Sequence, residues 1–103
     1  MTPDEALKAY LPMSETMYLI LLSVEEPRHG YGILLHIRNI TGGRRELGTG
    51  TIYNSLSRLR ADGLIADAGG DERRRIYHIT ETGRAVLSSE IERLGELYCY
   101  GKA

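Results

Sequence analysis

The sequence predicts a mainly α-helical fold that carries one two-stranded β-hairpin. In most of the chain, apolar residues recur every third or fourth position, which is the spacing of a helix with one buried face. Residues 69–72 (Gly-Gly-Asp-Glu) are a strong turn signal and separate two short segments typical of strands, residues 64–67 and 75–79. A length of 103 residues allows one domain with a single core.

Three helices are predicted before the middle of the chain, over residues 2–10, 14–26 and 31–41. Pro3 suits the first turn of a helix, and Ser14 is the expected N-cap of the second helix. Pro27 ends that helix, and residues 28–32 are predicted as a turn. Gly42 and its neighbouring glycine end the third helix.

The next predicted helix opens at Gly48 and runs to about residue 62, where Gly63 ends it. Its inward stripe consists of Ile52, Leu56 and Leu59. After the hairpin, Thr80 is the expected N-cap of a last helix that runs to about residue 98.

This order of elements describes a winged helix-turn-helix. Residues 1–83 would form the winged helix-turn-helix with its N-terminal helix, and residues 84–103 would form a C-terminal dimerisation helix within the same structural unit. Architecture alone does not give function, so the surface residues have to carry that inference.

The formal net charge of −1 hides an uneven distribution of charge. Residues 28–84 contain ten arginines and six acidic residues, a local charge of +4, whereas the flanks carry −5. Eleven of the 13 basic residues are arginines, which suit bidentate contacts with phosphate and guanine. The centre of the chain is therefore predicted to present a cationic face, and the acidic flanks, with Glu90, Glu92 and Glu96, to limit non-specific binding to DNA.

The helix that opens at Gly48 has an outward face suited to reading DNA. At 100° per residue, Thr51, Asn54 and Arg58 lie opposite its apolar stripe. Asparagine pairs with adenine, arginine with guanine, and a threonine methyl meets a thymine methyl. Thr49 and the free amides of the first turn favour a phosphate. A solvated helix face would show the same spacing, so this alternative stays open.

Three consecutive arginines, Arg73, Arg74 and Arg75, lie at the predicted hairpin tip. A wing at this position can contact phosphates or place an arginine in a narrow minor groove. Asp71 and Glu72 are expected to pair with these arginines in the free protein. A solvated surface is the alternative interpretation, and the neighbouring helix that opens at Gly48, with its face suited to reading DNA, favours contact with DNA.

These residues are similar to the PadR family of bacterial transcriptional regulators over roughly residues 11–87. The resemblance rests on an ordered set of four motifs, residues 27–32 (PRHGYG), 48–53 (GTGTIY), 56–65 (LSRLRADGLI) and 74–83 (RRIYHITETG). The chain departs from the family pattern at Gly32, where an acidic residue is common, and at Asn54, where proline is frequent.

The resemblance implies a sequence-specific, DNA-binding, homodimeric repressor of the short PadR subfamily. Two recognition helices about 34 Å apart would read a pseudo-palindromic operator in double-stranded DNA. The residues expected to contact DNA are Thr49, Thr51, Tyr53, Asn54, Arg58, Tyr31, His29, Arg73, Arg74 and Arg75. Family effectors are often small hydrophobic or aromatic compounds. Without Trp or Phe, the aromatic residues that could hold one here are Tyr98 and Tyr100, or Tyr10 and Tyr18.

The last predicted helix carries a seam like that of a coiled coil. Its members are Leu87, Ile91, Leu94 and Tyr98, at i, i+4, i+7 and i+11. The seam could also pack within one subunit, but it exceeds what one side of a closed core would cover. We therefore expect these four residues to form a dimer interface.

Other classes of function receive little support. No catalytic set is indicated, the three histidines lack metal-ligand spacing, and the glycine motifs lack the context of nucleotide-binding loops, so neither an enzyme nor a cofactor is expected. The single Cys99 and the absence of a long apolar run or a leader favour the cytoplasm and no membrane. The alternatives are a winged-helix protein-interaction module without DNA binding and a small-molecule binding protein.

Overall fold

The computed structural model describes residues 1–103, which form five helices and a three-stranded antiparallel sheet. The helices are α1 (Pro3–Tyr10), α2 (Glu15–Ser23), α3 (Gly30–Ile40), α4 (Thr49–Ala61) and α5 (Glu81–Lys102). The strands are β1 (Arg28–His29), β2 (Ile65–Gly70) and β3 (Arg75–Ile79), in the order β1-β3-β2. This architecture confirms the predicted mainly α-helical fold with a winged hairpin. No helix combines the length and the apolar character needed to cross a membrane.

The segment between α2 and α3 differs from the prediction. α2 ends at Ser23 rather than near residue 26, because the carbonyl of Val24 accepts a hydrogen bond from Ile79 N–H at 2.9 Å and draws the chain towards the sheet. Residues 28–29 then form β1 instead of a turn, with Arg28 opposite Tyr77. Two residues are too short for strand alternation to be visible in a sequence.

The wing turn also lies later than predicted. β2 extends to Gly70, which pairs with Arg75, and a register irregularity follows Asp67. Gly70 has a φ of +81°, and a Cβ atom there would lie 2.0 Å from the carbonyl oxygen of Arg74. Only glycine fits this conformation and this space. The tip of the wing therefore comprises residues 71–74.

One hydrophobic core joins all five helices to the sheet. Its α4 members are the predicted stripe, Ile52, Leu56 and Leu59, each at most 1% exposed. The predicted caps Ser14 and Thr80 are confirmed, since each hydroxyl accepts a backbone N–H of the first turn that follows. Burial of these apolar side chains fixes the orientation of α4 against α2 and α3.

The start of α5 is tightly joined to the end of α4. Thr80 donates its hydroxyl to the Gly63 carbonyl at 2.6 Å, and its N–H donates to the Leu64 carbonyl at 3.0 Å. A Cβ atom on Gly83 would lie 2.1 Å from the same Leu64 oxygen. The first turn of α5 and the segment after α4 consequently form one rigid junction.

Glu90 is buried, which corrects its prediction as a surface charge of the acidic flank. Both carboxylate oxygens accept hydrogen bonds from Arg93 at 2.7 Å, and one also accepts the N–H of Met13 at 3.3 Å. The bonds from Arg93 hold the pKa of Glu90 below its usual value. The side chain is thus an internal link between α5 and the start of α2.

We expect Glu90→Gln to lower the free energy of unfolding at pH 7 by about 2 kcal/mol, because Arg93 loses its charged partner while Met13 keeps an acceptor. Since the folded-state pKa is lowered, the ion pair stabilises the fold above the usual glutamate pKa, and this contribution is lost as the pH falls through the folded value. Urea unfolding of both proteins at pH 7 and pH 3 measures the difference.

The control is Glu92→Gln, which changes an exposed glutamate on the same helix. We expect this variant to match the wild type at both pH values. Equal stability of Glu90→Gln and wild type at pH 7 would contradict a stabilising role for the pair.

Candidate nucleic-acid interface

The N-terminus of α4 is open to solvent. Its N-cap is Gly48, which has no side chain to bond the free amides of the first turn, and Thr49, Gly50 and Thr51 are all exposed. Unbonded amides at a helix N-terminus, together with the helix dipole, attract an anion. The structure thus leaves the predicted phosphate position at Thr49 accessible.

Beyond its first turn, α4 has two exposed faces. Thr51, Asn54 and Arg58 share the outward face predicted for base contacts, and all three are exposed. Tyr53, Ser57 and Arg60 share a second face that turns towards the wing. The helix can therefore present one row of side chains to a groove and another to the hairpin.

Arg58 is held against the N-terminal helix. Its guanidinium lies over the ring of Tyr10, 5.0 Å from the ring centroid. The Tyr10 hydroxyl donates to Asp62 at 2.6 Å, and burial together with this hydrogen bond raises the pKa of Tyr10 to about 12. This cation–π contact restricts the rotamers of Arg58 and sets it apart from the arginines of the wing.

A cleft of about 320 Å³ separates α3 and α4 from the wing. It collects six of the predicted contact residues, namely His29, Tyr31, Tyr53, Arg73, Arg74 and Arg75. Thr49 borders a second hollow of about 250 Å³ on the other side of Tyr31 and Tyr53. Thr51, Asn54 and Arg58 line neither space and lie on the outward face of α4.

Tyr53 reaches the cleft because position 30 has no side chain. A Cβ atom on Gly30 would lie only 2.7 Å from the ring and the hydroxyl of Tyr53. Real Cβ atoms do not approach other atoms so closely, and a larger residue would push the ring away. Tyr31 and Tyr53 remain about half exposed at the mouth of the cleft, at 55% and 49%.

The wing arginines form no ion pair, contrary to the prediction that Asp71 and Glu72 pair with them. Asp71 instead uses Oδ1 to accept the backbone N–H groups of Arg73 and Arg74, both at 2.9 Å. An aspartate that bonds the backbone two and three residues ahead is a common turn device. The acidic side chain thus shapes the tip and leaves the guanidinium groups of the wing free of carboxylates.

Sequence reasoning missed three residues of the cleft, Ser57, Arg60 and Tyr77. Ser57 and Arg60 follow Tyr53 by four and seven positions, so the same helical spacing that revealed the outward face could have found them. Arg60 pairs with Asp67 at 3.0 Å and braces α4 against β2. Tyr77 is mostly buried, which raises its pKa, and it forms the floor of the cleft.

The four residues predicted for dimerisation occupy two environments. Leu87 is 4% exposed and packs in the core of its own chain, so the alternative of packing within one subunit holds for this residue. Ile91, Leu94 and Tyr98 are exposed, and Leu97 adds a fourth exposed apolar side chain. We call these four exposed residues the apolar strip of α5.

A further hollow, of about 450 Å³, lies between α2 and α5. It is lined by Met13, Glu15, Tyr18, Leu19, Arg44, Glu90, Arg93 and Leu94. Of the tyrosines considered for an effector, Tyr18 lines this hollow, whereas Tyr10 is buried in the core. Tyr98 and Tyr100 are both exposed on α5. Burial, chiefly, raises the pKa of Tyr18.

Comparison with curated proteins finds relatives of this chain. It is 34% identical over 79 residues to Transcriptional regulator Rv3488 of Mycobacterium tuberculosis, which covers 74% of the chain and 61% of the relative. It is 32% identical over 85 residues to an uncharacterized 37.1 kDa protein in transposon TN4556 of Streptomyces fradiae, which covers 82% of the chain and 24% of that protein. The chain therefore spans about three fifths and about a quarter of the lengths of these two relatives.

Among solved structures, a PadR family transcription regulator from Clostridium difficile R20291 has a TM-score of 0.72 at 24% identity. The match covers 84% of this chain and 94% of that chain, and it shows a shared winged-helix fold. The family model described as the transcriptional regulator PadR-like family matches residues 19–89. This match spans most of α2, all of α3, α4 and the sheet, and the first turns of α5.

The match confirms the resemblance seen in the sequence motifs, and with it the prediction of a regulator rather than an enzyme. Since the family model covers well over half of the chain, the protein belongs to the PadR-like family of transcriptional regulators.

Proposed function

We propose that this protein is a sequence-specific DNA-binding transcriptional regulator that acts as a dimeric repressor. The observation that carries the proposal is the set of wing arginines without carboxylate partners, next to the exposed outward face of α4. A cationic hairpin beside a helix of small polar side chains matches the phosphate and base contacts of a winged helix on duplex DNA.

In this proposal, α4 enters the major groove and its outward face reads bases. Asn54 is suited to adenine, Arg58 to guanine, and Thr51 to a thymine methyl group. The stacking of Arg58 on Tyr10 supports this role, because an ordered guanidinium loses less conformational entropy when it binds. Thr49 and the open amides of the first turn bind the phosphate at the edge of the groove.

The residues of the cleft hold the DNA backbone in the same proposal. Tyr31 and Tyr53 offer hydroxyl groups at its mouth, and the wing supplies the positive charge. Contacts of this kind set the register of the protein on the duplex and give affinity without sequence preference. Base reading and backbone binding are thus assigned to different faces of the same helix–wing unit.

The apolar strip of α5 supports the dimer. Its four members are between 37% and 66% exposed, and large apolar residues gathered on one helix mark an interaction surface. A symmetric pair of α5 helices would place two copies of α4 on successive turns of a pseudo-palindromic operator.

The hollow between α2 and α5 supports the part of the proposal that concerns an effector. Tyr18 and Leu94 give it an apolar wall, and Leu94 also belongs to the strip that the second subunit would cover. A small hydrophobic or aromatic compound bound there would contact both subunits and relieve repression by altering their relative orientation.

Selection of bound duplexes from a random DNA pool, repeated at two salt concentrations, tests the proposed function. We expect an enriched pseudo-palindrome whose affinity falls steeply as salt increases, because phosphate contacts release counterions. A pool without enrichment at either salt concentration would favour a protein-interaction module instead.

We expect Arg73→Ala to weaken binding to the selected operator and to unrelated duplexes by a similar factor. Its exposed side chain forms no hydrogen bond or ion pair within the protein, so we expect the loss to be that of one phosphate contact. The slope of the logarithm of the binding constant against the logarithm of the salt concentration is negative, and its magnitude should decrease by about one. Fluorescence anisotropy titrations at several salt concentrations measure both quantities.

The matched control for Arg73→Ala is Arg84→Ala, which removes an exposed arginine on α5 that lines no part of the cleft. We expect its affinity and slope to equal those of the wild type. If the two variants lost affinity equally, the wing would have no special role.

We expect Ile91→Glu to convert a dimer into a monomer, because the new charge would be buried without a partner in the interface. Sedimentation equilibrium measures the mass. Ser88→Glu is the control, since it adds the same charge to α5 at an exposed position outside the apolar strip and should leave the dimer intact. A wild-type protein that is monomeric at operator-binding concentrations would contradict the proposed dimer.

A further inference from the structure

The two ring nitrogens of His29 both face groups that donate hydrogen bonds. Nδ1 accepts the backbone N–H of Gly32 at 3.1 Å, which caps the first turn of α3. Nε2 lies 2.7 Å from Nη2 of Arg74 on the wing. A neutral imidazole has one N–H and one acceptor nitrogen, whereas a guanidinium has donors only. The ring can therefore accept from just one of its two neighbours.

The helix cap decides which nitrogen carries the proton. Because Nδ1 is the acceptor for Gly32, the proton of the neutral ring lies on Nε2. Protonation of both nitrogens would place an N–H opposite the N–H of Gly32, so the cap requires the neutral ring. The Nε2–H group and the Arg74 guanidinium are consequently two donors that meet at one place with no protein acceptor between them.

No acidic group of the protein satisfies these two donors. Glu72 is the one carboxylate that lines the cleft, and it takes part in no ion pair. Asp71 has turned inwards to the wing backbone, and Asp67 is paired with Arg60. Convergent donors without an acceptor are expected to bind an oxyanion supplied from outside.

We propose that His29 Nε2–H and the Arg74 guanidinium form a clamp for one phosphate oxygen of the DNA backbone. This proposal rests on the DNA-binding function proposed above and assigns the chemistry of one contact. The clamp joins the N-terminus of α3 to the wing, so a single phosphate fixes both elements on the duplex. His29 contributes an oriented but uncharged donor, and Arg74 contributes both a donor and a positive charge.

The different charges of the two clamp residues give a specific test. His29→Asn removes the distal N–H but keeps the helix cap, because asparagine is among the most favourable N-cap residues. We expect unchanged thermal unfolding, about tenfold weaker binding to the selected operator, and an unchanged salt slope, since no charge is lost. Arg74→Ala should weaken binding and also reduce the slope by about one.

The double variant and a control complete the experiment. If both residues hold one oxygen, His29→Asn combined with Arg74→Ala should lose less affinity than the two single losses together. His78→Asn is the control, because His78 lies on β3 outside the cleft and contacts the carbonyl of Glu25. We expect it to bind as the wild type does. Unchanged affinity of His29→Asn, or a slope reduced as much as in Arg74→Ala, would overturn the clamp.

NMR of the imidazole nitrogens separates failure of the clamp from failure of the proposed function. In the DNA-free protein, the long-range ¹H–¹⁵N spectrum should show His29 as the Nε2–H tautomer, and the Nδ1–H tautomer would overturn the clamp whether or not DNA binds. Addition of a duplex should shift the Nε2 resonance, whereas inorganic phosphate at equal phosphate concentration should shift it much less. Equal or larger shifts with inorganic phosphate would overturn the assignment to DNA. If the wild-type protein showed no salt-dependent binding to DNA, that result would instead contradict the proposed function.

Discussion

The close approach of Tyr53 to Gly30 is the constraint on which the candidate interface depends. With the ring directly against a bare Cα, α3 and α4 meet where both helices begin, and the two exposed tyrosines stand side by side. β1 then leads straight into α3, so its pairing with β3 places the wing opposite the same point. The absence of a side chain at Gly30 thus allows three elements that are distant in the sequence to meet.

The formal net charge of −1 is the sum over two surfaces of different charge and does not indicate a uniformly neutral surface. Four of the 14 acidic residues are paired within the scaffold, in the ion pairs Arg38–Glu46, Arg44–Glu15, Arg45–Glu15, Arg60–Asp67 and Arg93–Glu90. The first three of these link the segment between α3 and α4 to α2 and α3. The wing arginines remain outside this network, so the local field at the cleft is set by cations although the whole chain is slightly acidic.

The features that sequence could predict are those encoded locally. The buried stripe of α4 and the cap at Thr80 follow from spacing and residue type within one element, and both are confirmed. The features it could not predict are set by partners far along the chain. Arg58 lies on Tyr10 because α1 packs beside the end of α4, and the buried carboxylate of Glu90 accepts the N–H of Met13. Spacing alone shows neither partner.

The junction between α4 and α5 has a mechanical consequence. Thr80 bonds the carbonyls of Gly63 and Leu64, and Gly83 packs closely against Leu64, so α4 and α5 form one rigid, bent unit. In a dimer joined through α5, the angle at which the two α5 helices cross would therefore determine the distance between the two copies of α4. A change of a few degrees in this crossing angle would then alter the spacing of half-sites to which such a dimer could bind.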